Sequence, residues 1–177
     1  MAEARERRSN ILIVDRSLSF GRLMRSELMH SGFSPITIAG DADEALSMLA
    51  GERFSAVLYD IEAGPMEGTE FVRAARMRRN MRDHYIPIIT TSFRPTWRAV
   101  AACRDAGANA FLAKPVSSDQ LTEKLKVSLG EGRKFVRVMS YFGPERRKGV
   151  RTPYRGSERR AMRLIESQII FSEKDAA

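Results

Sequence analysis

Residues 88–115 read IITTSFRPTWRAVAACRDAGANAFLAKP: a short apolar run, an amphipathic stretch and a second short apolar run. The two runs, Ile88–Ser92 and Ala110–Ala113, are the right length and composition for buried strands. Between them, residues 96–106 follow a helical pattern in which Cys103 sits among Ala101, Ala102 and Ala106, as a small buried residue rather than a reactive thiol. The same unit recurs towards the N-terminus. Strands are predicted at Ile11–Val14, Pro35–Ala39 and Ser55–Asp60, and helices over 17–31, 41–50, 67–78 and 117–129. The first helix places Leu18, Phe20, Leu23, Met24 and Leu28 at mostly helical spacing. The second opens on Asp41 as N-cap and buries Ala45, Leu46 and Leu49. Five strand–helix units in series predict an α/β fold over residues 10–129: a doubly wound, five-stranded parallel sheet with helices on both faces.

Composition bounds the rest. The chain has 177 residues, 29% charged and 43% hydrophobic, as expected of a globular protein. No apolar run approaches the roughly 20 residues of a membrane helix. The opening MAEARERRSN lacks the apolar core of a secretory signal, so residues 1–9 are expected to be a flexible N-terminus and the location cytoplasmic, without membrane insertion. The net charge of +8 is uneven: residues 1–127 hold 18 Lys/Arg against 16 Asp/Glu, and residues 128–177 hold 12 against 6. A basic tail of this kind calls for an anionic partner. The histidines, His30 and His84, have no Cys pair or carboxylate at metal-ligand spacing, and no hydrolase or transferase constellation is visible. The chain is expected to bind rather than catalyse.

In doubly wound folds, chemistry gathers at the carboxyl ends of the strands. Asp15, Asp60, Ser92 and Lys114 fall there, in VDR, YDIEAGPMEG, TTS and LAKPV. Gly68 lies eight residues after Asp60, Ser92 and Lys114 are 22 apart, and Phe111 stands three before the lysine. On these residues the chain resembles the CheY-like response-regulator receivers, with their flavodoxin-like sheet. The resemblance implies that Asp60 stands at the phosphoacceptor position and Phe111 at the aromatic switch. It also exposes a departure. Family members carry a second acidic residue after the first strand as a Mg²⁺ ligand, and here that position is Arg16. A guanidinium has no lone pair to offer and repels a cation. Ala63-Gly64 replaces the usual Met-Pro, with Pro65 displaced by one. The expectation is a degenerate pocket of Asp15, Arg16, Asp60, Ser92 and Lys114, a fixed charge network in which Arg16 pairs with Asp15 or Asp60 and no Mg²⁺ is used.

Beyond residue 129 the composition changes. Lys134 to Met139 alternates charged and apolar residues, as an edge strand or an extended segment would. Gly143, Pro144, Gly149, Pro153 and Gly156 interrupt any helix before Ser157, an N-cap for a final helix over 158–171 carrying Met162, Ile165, Ile169 and Ile170 on roughly one face. Tyr141 to Arg147 repeats approximately as Tyr154 to Arg160, and arginines recur every four residues at 147, 151, 155, 159 and 163. Guanidinium forks grip phosphate oxygens in pairs, contact the O6/N7 edge of guanine and stack on bases, as an aromatic ring such as Tyr154 does. Residues 130–163 are therefore expected to be an arginine-rich ligand-binding segment, in which ligand capture orders a wrapping stretch over 143–163. FGPERR and YRGSERR resemble the arginine-rich extension of the CheY-like cyclic di-GMP effectors of alphaproteobacteria. That resemblance implies a cyclic di-GMP site near Arg147, Arg151, Tyr154, Arg155, Gly156, Ser157, Arg159 and Arg163. It also implies a flagellar motor switch protein as partner, and the flagellar base or cell pole as the place of action. Two other readings remain: a phosphoryl-accepting response regulator driven by a histidine kinase, and a polyanion or RNA binder, which the repeat and the ladder disfavour.

Overall fold

A computed structural model describes residues 9–130, 134–138 and 141–145, together with the backbone of 169–170. Five strands alternate with five helices: β1 (Ile11–Val14), α1 (Leu18–His30), β2 (Ile36–Ala39), α2 (Ala42–Gly51), β3 (Ala56–Asp60), α3 (Gly68–Met77), β4 (Ile88–Ser92), α4 (Trp97–Ala106), β5 (Ala110–Ala113) and α5 (Ser118–Gly130). All pairings among the five strands are parallel, in the order β2-β1-β3-β4-β5. The expected sheet is present, and its order reverses between β1 and β3, the point where such sheets open a crevice for ligands.

The strand sequences explain their burial. β1 and β3 are apolar on both faces up to their polar ends, and every residue of each is buried. On one face Ile11, Ile13, Ala56, Leu58 and Ile89 meet Met24 and Leu28 of α1 and Leu121 and Leu125 of α5. On the other, Leu12, Val14, Val57, Tyr59 and Ile88 meet Leu46 of α2, Phe71 and Val72 of α3 and Cys103 of α4. Asp41 caps α2 by accepting from the Glu44 amide at 2.9 Å, and Ala45, Leu46 and Leu49 are buried as expected.

Some expectations fail in detail. Leu18 and Leu23 face solvent, because α1 touches the sheet only along the Gly21, Met24 and Leu28 stripe. Trp97, at the start of α4, is 75% exposed, with the Arg98 guanidinium over its ring at 5.5 Å. Ser9 is buried and so is not part of a flexible N-terminus; the rest of that segment lies outside the described residues.

The segment after α5 is the main correction. β6 (Phe135–Val138) and β7 (Tyr141–Pro144) pair antiparallel, and β8 (Ile169–Ile170) pairs antiparallel with β6, giving a separate sheet in the order β7-β6-β8. The stretch read as an edge strand or extended segment thus supplies β6, the middle strand of this second sheet. Ile169 and Ile170 are strand, not the end of a helix; the remainder of the expected 158–171 helix lies outside the described residues. Of the expected ligand-binding segment 130–163, the structure describes residues 130, 134–138 and 141–145. Its described part is already folded, with Phe135 and Phe142 buried and the Glu145 amide donating to the Lys134 carbonyl at 2.8 Å.

The hairpin docks on the N-terminal end of the main sheet. Phe142 meets His84 and Tyr85 edge-on, and Tyr85 also meets Phe135. The backbones come so close that a Cβ on Gly143 would lie 2.6 Å from the Gly107 Cα. Beneath Phe135 lies Arg76 of α3, fully buried, its guanidinium 5.2 Å from the ring centroid. It donates from Nε to the Gly107 carbonyl (3.1 Å), from Nη1 to the carbonyls of His84 (2.9 Å) and Ile86 (2.7 Å), and from Nη2 to Asn109 Oδ1 (2.9 Å).

Candidate functional site at the strand ends

Four of the five strands deliver one polar residue at the carboxyl end, where the backbone leaves the sheet and side chains converge. Asp15 follows β1, Asp60 ends β3, Ser92 ends β4 and Lys114 follows β5; all four are buried. The Lys114 ammonium bridges the two carboxylates, donating to Asp15 Oδ2 at 2.7 Å and to Asp60 Oδ2 at 2.9 Å. The other oxygens are also engaged: Asp15 Oδ1 accepts from the Ser17 amide at 2.8 Å and Asp60 Oδ1 from the Glu62 amide at 3.1 Å. Burial raises the Asp60 carboxyl above its ordinary range, against the opposing pull of Lys114.

Arg16 does not join this network. It is exposed and makes no ion pair among the described residues. It lines an open hollow with Gly40, Asp41, Gly64 and Pro65, where the loops after β1, β2 and β3 meet. Gly64 stands there with φ +106°, a left-handed turn that glycine accommodates.

Other groups complete the site without a sequence motif to announce them. Ser92 Oγ donates to Glu62 Oε1 at 3.3 Å and accepts from the Arg94 amide at 2.8 Å. Phe20 and Phe93 lay their rings beside the Lys114 ammonium, 4.4 and 4.9 Å from it. Phe20 carried a helical-periodicity signal; Phe93 and Glu62 carried only proximity in sequence to Ser92 and Asp60. Phe111, at the switch position, is half-buried against the core. The spacing of Gly68 acquires a cause: a Cβ there would fall 2.5 Å from the Ile61 Cβ, so α3 can start this close to the Asp60 loop only with glycine.

The donor set fits a charge-bridged site better than an Mg²⁺ site. Mg²⁺ wants near-octahedral oxygen ligands. Both carboxylates are committed to Lys114 and backbone amides, and residue 16 offers no oxygen. Among the described residues, no three or more His, Cys, Asp or Glu side chains are grouped to hold a metal ion. The residues assigned to a nucleotide ligand, Arg147, Arg151, Tyr154, Arg155, Gly156, Ser157, Arg159 and Arg163, lie outside the described residues. No helix among the described residues is long and apolar enough to cross a membrane.

Comparison with known proteins agrees with the geometry. The response regulator receiver domain family matches residues 11–126, ending before β6. The sensory/regulatory protein RpfC of Xanthomonas campestris pv. campestris is 30% identical over 122 residues, which are 69% of this chain and 17% of RpfC. Response regulator MprA of Mycolicibacterium vanbaalenii is 30% identical over 119 residues, 67% of this chain and 49% of MprA. The chain therefore matches half or less of these relatives' length. The crystal structure of a CheY-like response regulator receiver domain protein from Methanospirillum hungatei JF-1 superposes with a TM-score of 0.61 at 31% identity, covering 70% of this chain and 94% of that one. With its strand order, its Asp60–Lys114 site and a family match over residues 11–126, this chain belongs to the response regulator receiver family, whose members are signalling modules.

Proposed function

We propose that this receiver takes its input at the arginine-rich extension, as a cytoplasmic effector that binds cyclic di-GMP and changes its hold on a flagellar motor switch protein in response. The observation that supports this is the docked hairpin. Glu145, tied to Lys134, is the last described residue before the ladder, so the ladder's first arginine, Arg147, begins two residues from an anchored strand. A ligand gathered by Arg147, Arg151 and Arg155 would pull directly on β7 and, through it, on α3 and α4. The test is calorimetry of the full chain with cyclic di-GMP, GTP and a short RNA, then with Arg151→Ala and Arg155→Ala. Saturable binding of cyclic di-GMP alone, lost in both variants, is expected. RNA bound as firmly, with a steep salt dependence, would refute the reading. A deletion control should end after Glu145, because a cut before Tyr141 removes β7 and uncovers the Arg76 anchor.

A second reading rests on the strand-end site, which supports it at least as directly. Asp60, Ser92 and Lys114 meet as a phosphoacceptor with its two helpers would. A histidine kinase partner would supply the group: an Asp60 oxygen attacks phosphorus, the P–N bond of phosphohistidine breaks and imidazole leaves. A hydroxylamine-labile label on the chain, absent from Asp60→Asn, is the expected outcome. No label from any phosphohistidine donor would remove it. The two readings use different residues and can hold together.

A further inference from the structure

We propose that Arg16 makes the strand-end site metal-independent, with Lys114 as its resident cation and divalent ions excluded. The inference concerns the site of the second reading above and is indifferent to what the extension binds. It starts from charge. Asp15 and Asp60 bring two negative charges to Lys114, leaving the buried trio one charge negative. An acidic residue at position 16 would make the neighbourhood more negative still, a deficit that a divalent cation fits. Arginine differs from aspartate there by two charges, which is the charge of the ion itself.

Geometry points the same way. All four oxygens of Asp15 and Asp60 already accept hydrogen bonds, with Lys114 bridging the two Oδ2 atoms. The remaining acids nearby are engaged elsewhere: Glu62 accepts from Ser92, and Asp41 caps α2. The Phe20 and Phe93 rings add a favourable surface for an ammonium beside the carboxylates. Arg16 needs no role in that network. It lines the hollow with Gly40, Asp41, Gly64 and Pro65 and holds a permanent positive charge one residue from Asp15.

The experiment is a titration of the full chain with Mg²⁺ and with Mn²⁺, followed by calorimetry and by thermal shift, beside the variants Arg16→Asp and Arg16→Ser. The native chain should show no saturable binding at concentrations that saturate R16D. R16D should bind Mg²⁺ at least about tenfold tighter than the native chain, since it exchanges a repelling charge for an attracting one close to the ion. R16S, which removes only the repulsion, should fall between them. Saturable Mg²⁺ binding by the native chain overturns the proposal whatever the variants do. So does an R16D chain with an unchanged circular dichroism spectrum and no gain in affinity.

Discussion

Replacing Arg76 by methionine tests whether a buried arginine without a carboxylate holds the extension to the receiver. Among the described residues no acidic side chain lies at ion-pair distance from its guanidinium. Burial pulls its pKa down to about 10, so it stays charged at neutral pH, compensated by four hydrogen bonds to oxygen. Methionine keeps the apolar stem and removes every donor. The carbonyls of His84, Ile86 and Gly107 then lose these bonds, at about 1–3 kcal/mol for each one left unsatisfied. Asn109 Oδ1 keeps its bond from the Ile88 amide at 3.0 Å. Against that gross loss stands the relief of no longer burying a cation, itself several kcal/mol. The net expectation is a loss of about 2–4 kcal/mol, or roughly 5–15 °C in Tm for a chain of this size. Urea denaturation gives the free energy. Hydrogen exchange at residues 135–138 and 141–144 should rise as well, because Phe135 loses the cation beneath it. A change under about 0.5 kcal/mol with unaltered exchange would mean that Arg76 is carried by the fold and does not hold it.

Three further outcomes follow from the same geometry. Gly143→Ala puts a Cβ 2.6 Å from the Gly107 Cα and 2.7 Å from the Tyr141 hydroxyl oxygen, so the hairpin should shift off the receiver at a cost of about 1–3 kcal/mol, read by thermal unfolding and by exchange in β7. Lys114→Met leaves Asp15 and Asp60 buried without their cation and should cost about 3–5 kcal/mol at pH 7, read by urea denaturation. Asp60→Asn should stabilise the chain at neutral pH. A carboxyl whose folded pKa is raised holds its proton more tightly when folded, so its ionisation subtracts stability as pH climbs from the unfolded value through the folded one. The gain should therefore disappear when unfolding is measured below the ordinary aspartate pKa, and equal stabilisation at all pH values would count against it.

The sheet was legible because its central strands β1 and β3 are buried along their whole length, so each reads as an unbroken apolar run reaching an aspartate. The strand-end site was legible for the same reason: Asp15, Asp60, Ser92 and Lys114 mark where burial stops and chemistry starts. Helix faces were less legible, since periodicity alone does not separate Leu18 and Leu23 from Met24 and Leu28; only the packing of α1 does. Arg76 could not be read as an anchor from composition, because the carbonyls that satisfy it come from residues 84, 86 and 107, brought together only by the fold. A signal did exist. Arg76 stands four residues after Val72 and five after Phe71, on the buried stripe of α3. The hairpin was half-written in the alternation of residues 134–139. Its partner strand was hidden by Gly143 and Pro144, which read as breakers yet sit in β7, Gly143 where two backbones nearly touch.

The two ends of the sheet divide the work. Asp15, Asp60, Ser92 and Lys114 lie at the carboxyl ends of the strands, while Arg76, Gly107 and the hairpin lie at the amino ends, some 13–16 Å away by the length of a five-residue strand. No single side chain among the described residues spans that distance. α3 does: it begins at Gly68, packed against Ile61 beside Asp60, and ends at the Arg76 turn under Phe135. α3, together with α4, which also contacts β7, gives the route by which one end can influence the other. A shift of α3 would disturb the stacked Tyr59 and Phe71 rings, 3.9 Å apart at the Asp60 end of that helix. If a ligand at the extension alters phosphoryl acceptance at Asp60, substituting Phe71 by leucine should weaken that link while leaving ligand affinity intact; if both functions stay unchanged, the two ends act independently.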